Sequence, residues 1–468
     1  MGAGVSDWRL ARAVSRMGHL GVVSGTALDS ILARRLQDGD PGGHMRRGLS
    51  RFPVPKIAER ILQKYYRSPG RSASQAYLLI PMYTLDPSIE LLELSIAANF
   101  VEVNLAKEGH DKPVGVNLME KIQMHCPAAL YGAMLAGVDY VLVGAGIPRA
   151  IPAIMDRLTT HLDVSMTANG DGTRPEDGFK VQLDPHKVVG DQLPPLKRPK
   201  FLAVVASNVL ALTLVRKASG RVDGFIIEGP TAGGHNAPPR GGMMLDDKRE
   251  PVYGPKDEVD LDAIRRLGLP FWLAGSYGSP EGLQQALRMG ATGIQVGTAF
   301  AFCRQSGLAA HLKRQALDSS QKGTLKVYTD PFASPTGFPF KVVELEGSLS
   351  DDAIYAKRPR LCNLGYLRSP YKRADGTLGY RCASEPVDVY LKHEGKIEDT
   401  VGRKCLCHSL LANIDLSQAY PSGYVELPLV TAGNDAAQID RLLSPGKDTY
   451  TAGDVLRYLT GTLKKPEA

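Results

Sequence analysis

The chain has no stretch of about 18 uninterrupted apolar residues, so nothing in it reads as a membrane span. Its richest apolar run, Phe201 to Val215, is broken by Ser207, Asn208 and Thr213. No basic start leads into an apolar h-region, so no secretory signal is visible. Cysteine is scarce, six in 468 residues, which excludes a disulfide scaffold and makes the cytoplasm the default compartment. A G-x-x-x-x-G-K-[ST] phosphate loop is absent, as is a G-x-S-x-G nucleophile elbow. Gly144-Ala145-Gly146 follows an apolar run, but Pro148 and Arg149 break any dinucleotide fingerprint there. Neither an internal repeat nor a low-complexity tract stands out.

What is present is ordinary globular composition, 43% hydrophobic and 22% charged. The net charge of +7 is unevenly placed: residues 1–71 hold 13 Lys/Arg against 5 Asp/Glu. A basic end can attract nucleic acid or phosphorylated ligands. Its arginines, however, sit in amphipathic text such as Leu28 to Leu36, which predicts a solvated helix face. No nucleic-acid motif and no interleaved aromatic–basic segment accompanies them, so a nucleic-acid partner is not expected.

Seven short apolar runs alternate with helix-like segments over the first 300 residues. They are Leu20–Ser24, Val114–Leu118, Tyr140–Gly144, Phe201–Ala206, Gly224–Glu228, Phe271–Gly275 and Gly293–Gly297. Near-continuous hydrophobicity fits parallel strands buried on both faces, and the alternation predicts an α/β fold. Seven runs are close to the eight of a TIM (β/α)₈-type barrel, which takes about 250 residues. Two insertions interrupt the rhythm, at about 26–110, with the apolar run Tyr77–Tyr83, and at about 159–199, where Asn169-Gly170-Asp171-Gly172 predicts a hairpin turn. The barrel domain is placed at residues 1–345 and a smaller C-terminal domain at 346–468.

Glycine-rich turns follow four of the runs: Gly144-Ala145-Gly146, Gly233-Gly234-His235, Gly275-Ser276-Tyr277-Gly278 and Gly297-Thr298. In a barrel all of these open on the catalytic face, and the last two occupy the usual phosphate position. Glycine lets backbone N–H groups approach an anion closely. His235 stands at a strand end, where an imidazole can exchange a proton with a carbon acid.

Ala232-Gly233-Gly234-His235, with Leu273-Ala274-Gly275 and Gln295-Val296-Gly297-Thr298 after it, resembles the nitronate monooxygenase (2-nitropropane dioxygenase) family of FMN-dependent TIM barrels. Gly115-Val116-Asn117-Leu118 resembles that family's third-strand Asn motif, and Met1-Gly2-Ala3-Gly4-Val5-Ser6 its first loop. The resemblance implies that Asn117 contacts the flavin and that Gly233, Gly275, Gln295, Val296, Gly297 and Thr298 hold FMN. Glu228, Gly234, Ser276 and Gly278 complete the expected cofactor set, and His235 aligns with the catalytic base. Glu228 departs from the family's usual Gln, and a carboxylate there disfavours an anionic reduced flavin. Ser276 stands where a second glycine is usual. The first-loop motif begins at Met1, which predicts either a start upstream or a barrel lacking its first strand.

The insertions and extension more closely resemble the enoyl reductase component of polyunsaturated fatty acid and polyketide synthases. Two activities are therefore expected as alternatives. One is oxidation of nitronates by O₂ to carbonyl compounds and nitrite; the other is NAD(P)H-dependent reduction of enoyl thioesters. The expected partner is a small-molecule substrate, joined under the second alternative by an acyl carrier protein, and a homodimer is allowed for. Cys362, Cys382, Cys405 and Cys407 fall within 46 residues, beside His408, and are candidate ligands for Zn²⁺ or an iron–sulfur cluster. The C-x-C spacing is tighter than usual for zinc, and buried apolar cysteine is the plain alternative.

Overall fold

In the computed structural model, residues 2–191 and 193–461 are described. Met1, where the first-loop motif begins, lies outside them. All seven apolar runs form strands: β1 (Gly21–Ser24), β2 (Val114–Met119), β3 (Tyr140–Gly144), β4 (Lys200–Val205), β5 (Gly224–Glu228), β6 (Phe271–Ala274) and β7 (Gly293–Gln295). They make one sheet in sequence order, every neighbouring pair parallel. That succession, with helices outside it, is a TIM-barrel-type fold with seven strand positions filled. Among the described residues β1 and β7 do not pair with each other.

At the carboxyl ends of the strands the opening is spanned by the chain before the first helix. Ser24 N donates to Ser6 O and Gly307 N donates to Val5 O, each at 2.8 Å. The barrel interior is a small apolar layer of Leu142, Leu202, Ile226 and Ala274. Val22, Tyr140, Val204 and Trp272 pack on it and remain partly exposed. Outside, the helix Ala452–Leu459 packs against both Trp8–Arg16 and Pro280–Arg288. Asp7 caps Trp8–Arg16 by accepting the N–H groups of Arg9 and Leu10.

The first insertion is helical. Leu28–Gln37, His44–Leu49 and Pro55–Tyr65 pack on the 19-residue helix Ile89–Lys107, which is buried almost all round. Tyr77–Tyr83 forms no strand. The expected solvated basic face is not found. Leu28–Gln37 is buried nearly throughout, and Arg34 donates from inside the protein to Leu416 O. The reason is charge complementarity with the long helix and the residue that ends it: Arg35 meets Glu102 at 2.7 Å, Arg60 meets Glu93 at 2.5 Å, and Arg47 meets Glu108 at 3.1 Å.

The second insertion is an antiparallel hairpin, Val164–Thr167 with Lys180–Leu183, as its turn sequence predicts. After Asp330 the βα rhythm stops. A hairpin of Ser369–Lys372 with Leu378–Arg381 and the helices Asp352–Ala356, Val387–Lys392 and Leu406–Ala412 follow. Buried residues such as Leu349, Leu364, Leu406 and Leu429 belong to the same continuous hydrophobic core as those of the barrel. Arg358 and Glu426, with fully buried side chains, pair through two bonds of 2.6 and 2.9 Å.

Candidate functional site

The carboxyl ends of β2 to β5 converge on a cavity of about 980 Å³, counted with its open mouth. Side chains alternate along a strand, so register decides which of them face the barrel axis. Asn117, Gly144, Ala145, Val204 and Glu228 reach the cavity in this way, and Gly233, Gly234 and His235 join them from the turn after β5. Two of these positions are conformationally demanding. Gly234 has a φ of 85°, a region side chains avoid. A Cβ on Gly233 would lie 2.6 Å from Gly433 N, so only glycine fits against that strand of chain.

His235 is held by its outer nitrogen: Nε2 and Ser334 Oγ are 2.7 Å apart, and Ser334 Oγ is 2.8 Å from Thr336 Oγ1. Its ring stacks edge-on against Phe340, 4.9 Å between centroids. No protein group pairs with Nδ1 among the described residues. Desolvation pushes the imidazole down to about 3, so the ring is neutral at physiological pH. Glu228 faces the same cavity without a hydrogen-bond partner among the described residues, and burial raises its carboxyl to about 7. A neutral imidazole and a carboxyl poised near neutrality share one chamber.

The remaining expected cofactor residues gather beside the cavity without lining it. A Cβ on Gly278 would meet Val296 at 3.5 Å, and one on Gly275 would meet Thr231 Oγ1 at 2.9 Å, so the last two turns adjoin the Gly233 turn. Ser276 and Gly297 are exposed, while Gln295, Val296 and Thr298 are half-buried. A segment of the C-terminal region lies across this corner. Gly433 N donates to Thr298 Oγ1 at 2.9 Å, Asn434 N to Thr231 O at 3.1 Å, and Arg441 to Gly278 O at 3.0 Å.

Apart from Cys407, which stood out only as a candidate metal ligand, sequence reasoning missed the opposite wall. Phe340, Tyr366, Leu367, Leu406, Cys407, Leu410 and Thr431 all line the cavity. Thr431 Oγ1 accepts the N–H of Gly234 at 3.0 Å, which ties this wall to the histidine turn. Nothing in their local pattern separates these apolar residues from ordinary core.

The metal reading does not survive. Among the described residues no group of three or more His, Cys, Asp or Glu could hold a metal ion. Cys362, Cys382, Cys405 and Cys407 are all free thiols, and Cys382 Sγ lies 3.2 Å from Ser384 Oγ. His408 is turned away, its Nε2 2.6 Å from Asn363 Oδ1. Cys126 and Cys303 are buried and free.

FMN fits the donor set. The cavity is an open chamber walled by the strand ends on one side and by the C-terminal region on the other. It presents one unpartnered carboxyl group, and tight glycine turns that tolerate no Cβ stand next to it.

Comparison with known proteins bears on one part of the chain. The model of the nitronate monooxygenase family matches residues 196–333, the stretch that carries β4 to β7 and their turns. The chain is 27% identical over 146 residues to a probable nitronate monooxygenase of Bacillus subtilis, covering 31% of this chain and 39% of that protein. It is 31% identical over 124 residues to a Mycobacterium tuberculosis (3aS,4S,5R,7aS)-5-hydroxy-7a-methyl-1-oxo-octahydro-1H-indene-4-carboxyl-CoA dehydrogenase, covering 26% of this chain and 32% of that protein. The chain thus spans about a third of the length of the curated relatives it matches. Among solved structures it is similar to FabK from Thermotoga maritima, with 16% identity, a TM-score of 0.44, and 98% and 91% of the two chains covered. A nitroalkane oxidase from Streptomyces ansochromogenes gives 15% identity, a TM-score of 0.43, and 98% and 93% coverage. The resemblance to the nitronate monooxygenase family therefore holds, and it is densest where the histidine turn and the last two strand ends lie.

Proposed function

We propose that this protein is an FMN-dependent oxidoreductase of the nitronate monooxygenase type, taking a nitronate and O₂ to a carbonyl compound and nitrite. One observation carries the reading: the segment that matches the family, 196–333, is the one that delivers Glu228, Gly233, Gly234 and His235 to a single cavity. Asn117, Glu228, Gly233 and Gly234 would hold the flavin from within the cavity. Gly275, Ser276, Gly278, Gln295, Val296, Gly297 and Thr298 would hold it from the adjoining turns. FMN, when bound, supplies the electron acceptor.

The chain's own groups favour a substrate that arrives already deprotonated. An imidazole held down at about 3 is a weak base, so removal of a proton from a neutral nitroalkane at His235 Nδ1 is slow. A nitronate needs no such step. Anaerobic mixing of the FMN-loaded protein with a nitronate tests this directly. Bleaching of the flavin spectrum is expected, and an unchanged spectrum excludes this substrate class.

A second reading, NAD(P)H-dependent reduction of an enoyl thioester, is favoured by the apolar wall of Phe340, Leu367, Leu406 and Leu410, which suits an acyl chain delivered free or on a carrier protein. The name of the mycobacterial relative, a carboxyl-CoA dehydrogenase, points the same way. Here Glu228, poised near neutrality, is the group able to protonate the α-carbon. Bleaching by NADPH, reversed by an enoyl thioester, would select it.

A further inference from the structure

A second chamber adjoins the candidate site, and the flavin reading leaves it unused. It shares Thr26, Ala27, Leu118, Met119 and Ile122 with the main cavity. Its free space is about 20 Å³, which admits one water-sized group and no ring. Asp29, Asn99 and His125 stand in its wall, the first two 2% exposed and the third 7%.

Three buried atoms of this wall have no hydrogen-bond partner among the described residues: Asp29 Oδ2, Asn99 Oδ1 and His125 Nδ1. Their neighbours fix what each can do. Asp29 Oδ1 already accepts from Ser30 N at 2.8 Å and from the Tyr366 hydroxyl, which leaves Oδ2. Asn99 Nδ2 donates to Ser95 O at 2.9 Å, so the free atom of the amide is its oxygen. His125 lies between the rings of Tyr83 and Tyr366, with centroids 3.7 and 4.8 Å away, and burial keeps it neutral. A neutral imidazole accepts at one of its nitrogens. Among the described residues no Lys or Arg pairs with Asp29, and Arg368, the cation that bears on His125, donates to Tyr83 O instead. A buried carboxylate without a cation and buried acceptors without donors are both costly.

We propose that this chamber binds a primary ammonium group at the end of an alkyl chain, which enters from the main cavity past Leu118, Met119 and Ile122. An ammonium group carries three N–H donors and one positive charge, against three acceptors and one carboxylate. A hydroxyl brings one donor and no charge, and a guanidinium exceeds the space. Apolar residues along the entry suit methylene groups. The inference deepens the proposed function by giving the substrate an amino end, and it rests on that reading only for what reacts at the other end.

The test is a calorimetric titration of the full-length protein with n-butylammonium chloride, at constant ionic strength and about pH 7, where an alkylamine is protonated. One saturable site is expected. Its affinity should exceed by at least about tenfold that for n-butanol, which lacks the charge, and that for tetramethylammonium, which lacks the N–H donors. Asp29→Asn should weaken butylammonium binding by a similar factor. If that variant loses its native melting transition, the ranking of the three probes on the unmodified protein still decides. Absence of saturable binding, equal affinity for n-butanol, or unchanged affinity in a folded Asp29→Asn protein would each overturn the inference. Tighter binding of ammonium chloride than of butylammonium would overturn it too, by making the occupant a free ion. FMN uptake is measured separately: a protein that takes up FMN but not butylammonium refutes this inference alone, and the converse refutes only the flavin reading.

Discussion

Two regions meet at the cavity and bring different things to it. The strand ends from Asn117 to His235 contribute the polar chemistry: an amide, a carboxyl raised by burial, an imidazole lowered by it, and glycine turns. The region after Asp330 contributes shape, through Phe340, Tyr366, Leu367, Leu406 and Leu410. The first set is placed by sheet register. The second is placed by packing and by a buried ion pair. The difference suggests that reaction type and substrate form are set by separate parts of the chain.

The largest effect expected from breaking this arrangement is in the second region. Glu426→Ala leaves Arg358 charged and alone among fully buried groups, and should cost about 3–5 kcal/mol of stability in denaturant unfolding. The strand-end chemistry predicts pH effects of opposite sign. Glu228 has a folded value of about 7, above its unfolded 4.5, so the folded protein keeps a proton that the unfolded chain releases. Stability from this group is full below about pH 4.5 and falls as pH rises toward 7. Glu228→Gln should therefore stabilise the protein by about 2–3 kcal/mol at pH 8 and little at pH 4.

His125 behaves in the reverse direction. It is buried between the rings of Tyr83 and Tyr366, and burial lowers it to about 3 from 6.5. Below pH 6.5 the unfolded chain gains a proton that the folded protein refuses, so stability falls with acidification. The loss is about 2 kcal/mol by pH 5 and should vanish in His125→Gln, measured by melting across pH. Smallest is Gly275→Ala, which forces a side chain onto a φ of 94° beside Thr231 Oγ1 and should cost about 1–2 kcal/mol.

The same contrast explains what could be read from sequence. Six of the seven strands, from Gly21–Ser24 to Phe271–Ala274, are mostly buried and so announce themselves as apolar runs, while Gly293–Gln295 is only half-buried. His235 and its glycines were legible because they follow such a run. Arg35 and Arg47 misled, since their carboxylate partners Glu102 and Glu108 lie 67 and 61 residues away and only the fold brings them together. Tyr366 and Leu410 carried no local mark at all, because a cavity wall and a core face use the same residues. Cys362, Cys382, Cys405 and Cys407 stood out by their density in the sequence, but spacing held no information on whether the fold gathers them into a metal-holding group, and among the described residues it does not.

The central claim is that these strand ends, closed by the C-terminal wall, bind a flavin mononucleotide through its phosphate as well as its ring. Equilibrium titration of flavin-free protein with FMN and with riboflavin, followed by quenching of flavin fluorescence, tests it most directly. One FMN per chain, bound at least about tenfold more tightly than riboflavin, is the predicted result, since a charge-assisted phosphate contact contributes about 1.5–3 kcal/mol. Failure to take up FMN, or equal affinity for the two flavins, would contradict it.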